Sequence, residues 1–203
     1  MFRRSLIAAA VAAPLLLCAG LAPAQTVGQP APALALKDAA GKTVDLADFK
    51  GRTVVLEWTN PSCPFVKKHY GSGNMQGTQK AAAAEGVVWL SVSSTHPGHA
   101  DYRAPAALAA WQQEQGAAAA AILIDEEGKV GKAWGARTTP QLFVVNPAGT
   151  LVYAGAIDSK PSANPADIPA ATNYVKQALA ELKAGKPVSK PLSAPYGCSV
   201  KYS

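Results

Sequence analysis

Cysteine is scarce in this sequence. The 203 residues include three cysteines, too few for the disulfide framework that holds a small secreted scaffold together. Charged residues make up 16% and hydrophobic residues 49%, a composition that excludes both a disordered chain and a multi-span membrane protein. The formal net charge is +6, but the basic residues are spread out and are not interleaved with aromatics, which disfavours nucleic acid as a partner.

Residues 1–24 have the pattern of a secretory signal. Arg3 and Arg4 supply the charged start, and an apolar stretch follows that ends in a small-x-small cleavage site whose last residue is Ala24. We expect cleavage after Ala24 and a periplasmic or secreted protein with no membrane span once the signal is removed. An uncleaved anchor is the alternative, and the arginine pair leaves general and twin-arginine export both open. A lipid anchor at Cys18 is disfavoured because a leucine precedes it.

The mature chain would keep two of the three cysteines. Removing 24 residues, which hold two arginines and no acid, leaves 179 of the 203 residues and lowers the net charge from +6 to +4. Cys63 and Cys198 remain, in a compartment where disulfides persist, so an even pair fits either a structural bridge or a redox couple. We expect one domain at 25–185, monomeric or weakly dimeric, and a tail at 186–203 that carries Cys198.

Strand and helix patterns alternate along the mature chain, which indicates an α/β protein built on a layered sheet. The clearest helix is the last, because Asn164 can cap it, Pro165 suits its first position, and apolar residues repeat at helical spacing as far as Leu182. The predicted strands are 34–36, 43–46, 53–58, 87–92, 121–124, 141–145 and 151–155. One predicted helix begins near 63, and three others cover 79–85, 104–115 and 164–182.

Cys63 follows a predicted strand and opens a predicted helix. At such a turn the unpaired N–H groups and the positive end of the helix dipole stabilise an anion, which lowers a thiol pKa and favours the reactive thiolate. Pro64 fits the first helical turn, and Lys67 and Lys68 add positive charge nearby. The location therefore predicts a reactive cysteine, and the alternative is a buried structural one.

A second segment resembles a known loop. Gly135-Ala136-Arg137-Thr138-Thr139-Pro140 runs straight into a strand and is similar to the cis-proline loop of the thioredoxin family. The strand–cysteine–helix unit lies about 75 residues earlier. Together the two segments make the chain resemble the thioredoxin-like superfamily over residues 27–182. Within it, the chain is most similar to the redoxin or peroxiredoxin-like branch, the alkyl hydroperoxide reductase and thiol-specific antioxidant type. The resemblance implies a thioredoxin-like α/β fold with a central mixed β-sheet flanked by helices.

The resemblance also implies roles for single residues. Cys63 matches the first, nucleophilic cysteine of the Cys-x-x-Cys motif, whereas Val66 takes the second position. Glu57 matches a buried acid that can move a proton to or from the departing thiol, and the alternative is a solvated glutamate at a strand end. Because a cis proline leaves the preceding backbone free to dock an extended chain, a substrate groove is expected. Its residues would be Thr139, Pro140, Trp58 and Pro64.

The sequence departs from the peroxiredoxin pattern at two positions. Peroxiredoxins place a threonine or serine three residues before the reactive cysteine and a proline four residues before that, and here these positions hold Asn60 and Leu56. The hydroxyl that would orient a peroxide is absent, which disfavours classical peroxidase activity. The sequence leaves two substrates open, a protein disulfide or a small peroxide. An external thiol reductant is expected, and no cofactor besides the redox-active cysteines.

Cys198 lies 135 residues beyond Cys63, in a tail bracketed by Tyr196 and Tyr202. It can resolve an intermediate on Cys63, form a static disulfide with it, or pair between chains, and we favour pairing with Cys63. The prediction is an exported thiol-disulfide oxidoreductase in which Cys63 attacks and Cys198 resolves. The non-enzyme alternative is a thioredoxin-fold binding module with a structural Cys63–Cys198 disulfide.

Histidines raise a further alternative, copper binding. Exported copper carriers of the Sco type share this fold but carry two cysteines in Cys-x-x-x-Cys, and this chain has one cysteine there. A copper site would need both cysteines together with His69 or His99. His96 and His99 also fit exposed loop positions, and His69 fits a helix end, so no metal site is assigned.

Overall fold

The computed structural model describes residues 26–203. The predicted signal at 1–24, its cleavage site and Cys18 lie outside the described residues. Within residues 26–203, no helix is long and apolar enough to cross a membrane.

A mixed β-sheet forms the centre of the molecule. Its strands, and one separate pair, are β1 (Ala35–Asp38), β2 (Thr43–Asp45), β3 (Val54–Trp58), β4 (Val88–Ser93), β5 (Ala121–Ile124), β6 (Thr138–Thr139), β7 (Gln141–Val145), β8 (Leu151–Gly155) and β9 (Cys198–Ser199). Seven of them form one sheet in the order β2-β1-β5-β4-β3-β7-β8, and β6 pairs with β9. β3, β4 and β5 are parallel to one another, whereas β7 is antiparallel to β3 and β1 is antiparallel to β5.

Helices flank this sheet, as expected. They are α1 (Pro64–Gly71), α2 (Asn74–Ala84), α3 (Pro105–Glu114), α4 (Lys129–Ala133) and α5 (Tyr174–Lys183), with 3₁₀ turns at Leu46–Phe49 and Pro165–Ala170. The predicted α/β architecture with a central mixed sheet is therefore confirmed.

The side chains of β3 alternate between two hydrophobic cores. Val55 packs in a core that includes side chains of α1, α2 and α5, whereas Leu56 and Trp58 pack in the opposite core with Trp134 and Phe143. Because successive residues of a strand point to opposite faces, Glu57 shares the face of Val55. The carboxyl group is thereby placed on the side of the sheet where α1 begins at Cys63.

Two helical segments differ from the sequence prediction. α2 begins at Asn74, five residues before the predicted start at Gln79, and continues through Gly77. Gly73 precedes it with a φ of 75°. The helix therefore starts inside the glycine-rich stretch, and only the first part of that stretch separates α1 from α2. The short helix α4 follows the predicted turn at 125–128 and was not expected from the sequence.

The predicted final helix over 164–182 is wrong in its first half. Asn164 and Pro165 open a 3₁₀ turn, and α5 begins only at Tyr174. Pro169 cannot donate to a helical hydrogen bond, and the side chain of Asn173 accepts from the N–H of Lys176 at 2.9 Å, which starts a new helix. The buried face of α5 is accordingly Val175, Ala178 and Leu179.

The C-terminal segment at 186–203 packs along the body of the protein. Ser193 N–H donates to the carbonyl of Ala154, and Val200 N–H donates to the carbonyl of Arg137. Beyond Cys198, the Tyr202 hydroxyl donates to the carbonyl of Ala136 at 2.7 Å. These bonds hold the segment in one path, and β9 brings Cys198 to the loop that precedes Pro140.

Candidate active site

Cys63 occupies the N-cap of α1, at the end of a short loop that follows β3. Pro64 takes the first helical position, as the sequence predicts, and is exposed. Asn60 shapes the loop, because its side-chain oxygen accepts from the N–H of Ser62 at 2.8 Å and its carbonyl accepts from the N–H of Cys63 at 3.1 Å. Only 2% of Cys63 is exposed, so the sulfur is nearly closed off from solvent.

The structure brings Cys63 and the Thr139–Pro140 loop together. The peptide bond between Thr139 and Pro140 is cis, as the resemblance implies. Cys63 Sγ donates to the carbonyl oxygen of Thr139 at 3.0 Å. Both Thr139 and Pro140 are buried, because Cys198 pairs with Thr139 in the β6–β9 register. The edge that would dock an extended substrate is therefore occupied by the chain's own C-terminal strand.

The two cysteines are free thiols, and both lie at Thr139. Cys198 pairs with Thr139 in the β6–β9 register, and Cys63 Sγ donates to the Thr139 carbonyl oxygen. Burial raises the pKa of Cys63, but interactions with nearby hydrogen-bonding groups, chiefly Cys198, outweigh it, so the net shift is downward. Burial and the neighbouring Cys63 raise the pKa of Cys198 to about 11. Cys63 is thus the thiol that ionises first, which is the order required if it is the attacking group.

Gly197 permits this close approach. Its φ is 137°, and a Cβ at that position would overlap the carbonyl group of Thr139. A residue with a side chain would therefore separate the tail from the loop next to the two sulfurs.

Glu57 lies in a buried hydrogen-bonding cage and is fully inaccessible to solvent, so the alternative of a solvated strand-end glutamate is wrong. Trp89 Nε1 donates to its carboxylate at 2.9 Å, Tyr70 Oη at 2.9 Å and Gln79 Nε2 at 3.1 Å. Burial raises the pKa of Glu57 to about 7, although these hydrogen bonds oppose the shift. A carboxyl with that pKa can both hold and release a proton near neutral pH, but its role toward Cys63 stays a prediction.

Lys67 and Lys68 differ in the exposure of their side chains. The side chain of Lys67 is exposed, whereas that of Lys68 is fully buried. Lys68 Nζ donates to the carbonyl of Lys160 at 2.9 Å and lies 3.7 Å from Asp158 Oδ2. The structure thus directs the Lys68 charge to Asp158, and stabilisation of the Cys63 thiolate by the two lysines stays a prediction.

Trp58 does not line a groove, and that prediction is wrong. Its side chain is fully buried, donates from Nε1 to Ser94 Oγ at 3.0 Å, and packs edge-on against Phe143 with ring centroids 5.1 Å apart. The reason is strand alternation, which points Trp58 to the face opposite Glu57.

A buried cluster around Asp158 was missed by sequence reasoning. Tyr196 Oη donates to Asp158 Oδ1 at 2.5 Å, and His69 Nε2 lies 3.2 Å from the same hydroxyl. Burial lowers the pKa of His69 to about 4 in spite of Asp158, so the ring is neutral at its 3.8 Å contact with that carboxylate. The one available signal was Tyr196, an aromatic residue two positions before Cys198.

The geometry that the copper alternative needs is not formed. The two ring nitrogens of His69 contact the Tyr196 hydroxyl and the Asn74 side-chain amide, and His99 Nδ1 accepts from the N–H of Asp101. Across residues 26–203, no group of three or more His, Cys, Asp or Glu side chains is placed to hold a metal ion.

One protein-family model and several solved structures are similar to this chain. A sequence model described as the AhpC/TSA family matches residues 27–154, more than half of the chain. No curated protein sequence matches the chain.

Several solved structures are similar. One is an uncharacterized conserved protein from Geobacillus kaustophilus, with a TM-score of 0.74, 26% identity, and coverage of 88% of this chain and 93% of that one. Another is a hypothetical protein from Sinorhizobium meliloti 1021, with a TM-score of 0.74, 23% identity, and coverage of 88% and 96%. The thioredoxin domain of a thiol-disulfide oxidoreductase from Bacteroides vulgatus is similar with a TM-score of 0.52, 20% identity, and coverage of 72% and 97%. These likenesses confirm the thioredoxin-like fold.

Proposed function

Because the chain belongs to the AhpC/TSA family, we propose that it is a thiol-dependent oxidoreductase in which Cys63 attacks the oxidant and Cys198 resolves the product. One observation carries the proposal: the docked C-terminal strand pairs Cys198 with Thr139, whose carbonyl oxygen accepts from Cys63 Sγ at the N-terminus of α1. A helix N-terminus stabilises the thiolate, and a second thiol beside it supplies the partner that Val66 does not.

The oxidant that this site fits best is a small hydroperoxide. Cys63 is 2% exposed, and the Thr138–Thr139 edge, where an extended polypeptide would dock, is already paired with Cys198–Ser199. Small size is therefore the property that gives an oxidant access to the sulfur. The carboxamide of Asn60, where peroxiredoxins have a hydroxyl, is held by Ser62 and by Thr95, to which it donates at 3.3 Å.

The proposed reaction has two halves. The Cys63 thiolate attacks one oxygen of the peroxide, the O–O bond breaks, the leaving alkoxide takes up a proton, and Cys63 becomes a sulfenic acid. The sulfur of Cys198 then attacks Cys63, water leaves, and a Cys63–Cys198 disulfide forms. The two cysteines have lost two electrons, and two external thiols return them by disulfide exchange.

Turnover measurements test this proposal. We expect the purified protein to consume cumene hydroperoxide continuously with dithiothreitol as reductant. The Cys63→Ser variant should be inactive. Cys198→Ser, treated with peroxide in the absence of dithiothreitol, should consume one equivalent and accumulate a sulfenic acid at Cys63 that dimedone traps.

Other outcomes identify the alternatives. Reduction of insulin disulfides without peroxide consumption would indicate that the substrate is a protein disulfide. Inertness toward both, with a Cys63–Cys198 disulfide that resists dithiothreitol, would establish the structural module in place of an enzyme.

We also propose that the protein acts outside the cytoplasm, after removal of residues 1–24. The support is the charged start, the apolar stretch and the cleavage site in the sequence. Sequencing the N-terminus of the exported protein tests it, with Gln25 expected as the first residue. Retention of the whole chain in the cytoplasm would contradict it.

A further inference from the structure

We propose that Tyr196 is a specificity-determining residue: its contacts with Asp158 and α1 hold the C-terminal strand over Cys63 and restrict direct reaction at that sulfur to small molecules. The proposal rests on the proposed function, because it concerns what reaches the same thiolate. It assigns a purpose to the buried Lys68–Asp158 pair, which the chemistry of the two cysteines does not use.

The hydroxyl of Tyr196 is held by a buried carboxylate. Asp158 is 3% exposed, and its Oδ1 accepts both from Tyr196 Oη at 2.5 Å and from the N–H of Lys160 at 2.9 Å. Its Oδ2 lies 3.7 Å from Lys68 Nζ, and both side chains are almost wholly removed from solvent. A hydrogen bond to a charged acceptor in such surroundings is stronger than one between neutral groups.

The ring of Tyr196 lies against the helix that carries Cys63 at its start. Phe65 meets the ring at an interplanar angle of 64°, with centroids 5.8 Å apart. Lys68 Nζ lies 5.5 Å from the ring centroid, and His69 Nε2 lies 3.2 Å from the hydroxyl. All three residues belong to α1, so the position of Tyr196 is fixed relative to Cys63.

One residue separates this anchor from the resolving cysteine. Gly197 passes against the Thr139 carbonyl group, and Cys198 then pairs with Thr139, whose carbonyl oxygen accepts from Cys63 Sγ. A tail held at Tyr196 therefore covers the sulfur of Cys63. If the tail leaves, Cys63 and the Thr139 edge are uncovered together, and a large thiol or disulfide can approach.

Burial of the Lys68–Asp158 pair is not explained by stability alone. Removing two charges from water is costly, and an apolar pair in the same space is often as stable or more stable. A buried pair does, however, favour a single partner geometry. Here Asp158, held by Lys68, accepts from the Tyr196 hydroxyl, and this bond holds the C-terminal segment in one position.

The rate at which Cys63 reacts with a bulky reagent measures how often the tail opens. We propose to use the Cys198→Ser background, to follow Cys63 by peptide mass, and to compare a polyethylene-glycol maleimide with the small reagent methyl methanethiosulfonate. Tyr196→Phe keeps the ring and removes the hydroxyl. We expect it to accelerate the bulky reagent about tenfold, equivalent to about 1.4 kcal/mol in the opening equilibrium, and the small reagent by less than about twofold.

Tyr102→Phe is the matched control, because Tyr102 Oη also donates to a carboxylate, that of Glu126, at 2.6 Å. We expect both reagent rates to be unchanged in that variant. Equal acceleration of both reagents by Tyr196→Phe, or no acceleration of the bulky one, would overturn the proposal. Neither reagent is a peroxide, so a failure of peroxide turnover is seen separately from a failure of the size selection.

Discussion

Gly197 is the position where one added methyl group should disable resolution by Cys198. In the Gly197→Ala variant the new Cβ would lie 2.8 Å from the carbonyl carbon of Thr139 and 3.4 Å from the nitrogen of Pro140, with the carbonyl oxygen closer still. These are backbone atoms of the cis-proline loop, so no flexible side chain can move aside. The φ of 137° is also one that an alanine rarely adopts.

The expected magnitude follows from these two terms. An unfavourable backbone conformation of this kind costs about 1–3 kcal/mol, and the overlap with Thr139 adds to it. The tail must then sit farther from the loop, which carries Cys198 away from Cys63. Loss of about 3 kcal/mol from the productive arrangement slows disulfide closure on the order of a hundredfold.

The assay is a peroxide pulse followed by timed quenching. Dimedone should trap the sulfenic acid of Cys63 far longer in Gly197→Ala than in the wild type. Gly185→Ala is the control, since Gly185 also has a positive φ, 68°, but a Cβ there meets nothing within 4 Å. Closure at the wild-type rate in Gly197→Ala, or equal slowing in Gly185→Ala, would refute the reasoning.

Two further predictions concern ionisation. Burial raises the pKa of Glu57 from 4.5 to about 7, so the folded state binds this proton more tightly than the unfolded state does. This stabilisation is complete below about pH 4.5 and is lost as the pH rises through about 7. Between about pH 5 and 8, the free energy of unfolding in urea should therefore fall by about 3 kcal/mol more in the wild type than in Glu57→Gln. Parallel pH profiles of the two proteins would contradict this. Hydrogen bonds from Cys198 lower the pKa of Cys63, and the serine of Cys198→Ser keeps a donor that the alanine of Cys198→Ala lacks. The pKa of Cys63 should therefore be higher in Cys198→Ala than in Cys198→Ser, as measured by thiolate absorbance at about 240 nm. Identical titrations of the two single-thiol variants would exclude the hydrogen bond as the cause.

The features that could be predicted from the sequence are those specified by neighbouring residues. A β run, a breaking loop and Pro64 place Cys63 at a helix start, and the structure has it at the N-cap of α1. The run into Pro140 predicts the loop that accepts the hydrogen bond from Cys63. In both cases the determining signals lie within a few residues of the site.

Features that depend on distant partners could not be predicted in the same way. Helical spacing placed Lys68 near Cys63, but Asp158, ninety residues farther along the chain, attracts its ammonium group. Helical periodicity likewise extended the final helix upstream, although Pro169 and the Asn173 cap divide it. Periodicity describes one segment's buried face and contains no information about which distant group will meet it.

The C-terminal segment shows the same limit most clearly. Its polar composition is typical of a loose tail, yet Tyr196 and Tyr202 each find a buried acceptor on the body of the protein. The aromatic residues on both sides of Cys198 were the visible sign of docking. Their acceptors, Asp158 and the Ala136 carbonyl, become recognisable only when the fold brings them to the tail.

The oxidation state of the two cysteines after one equivalent of peroxide tests the central claim most directly. The account predicts one Cys63–Cys198 disulfide within a single chain, found by peptide mass, reversed by dithiothreitol, and replaced by a dimedone-reactive Cys63 in Cys198→Ser. Two thiols that stay reduced, or oxidation that begins at Cys198 while Cys63 remains a thiol, would contradict it.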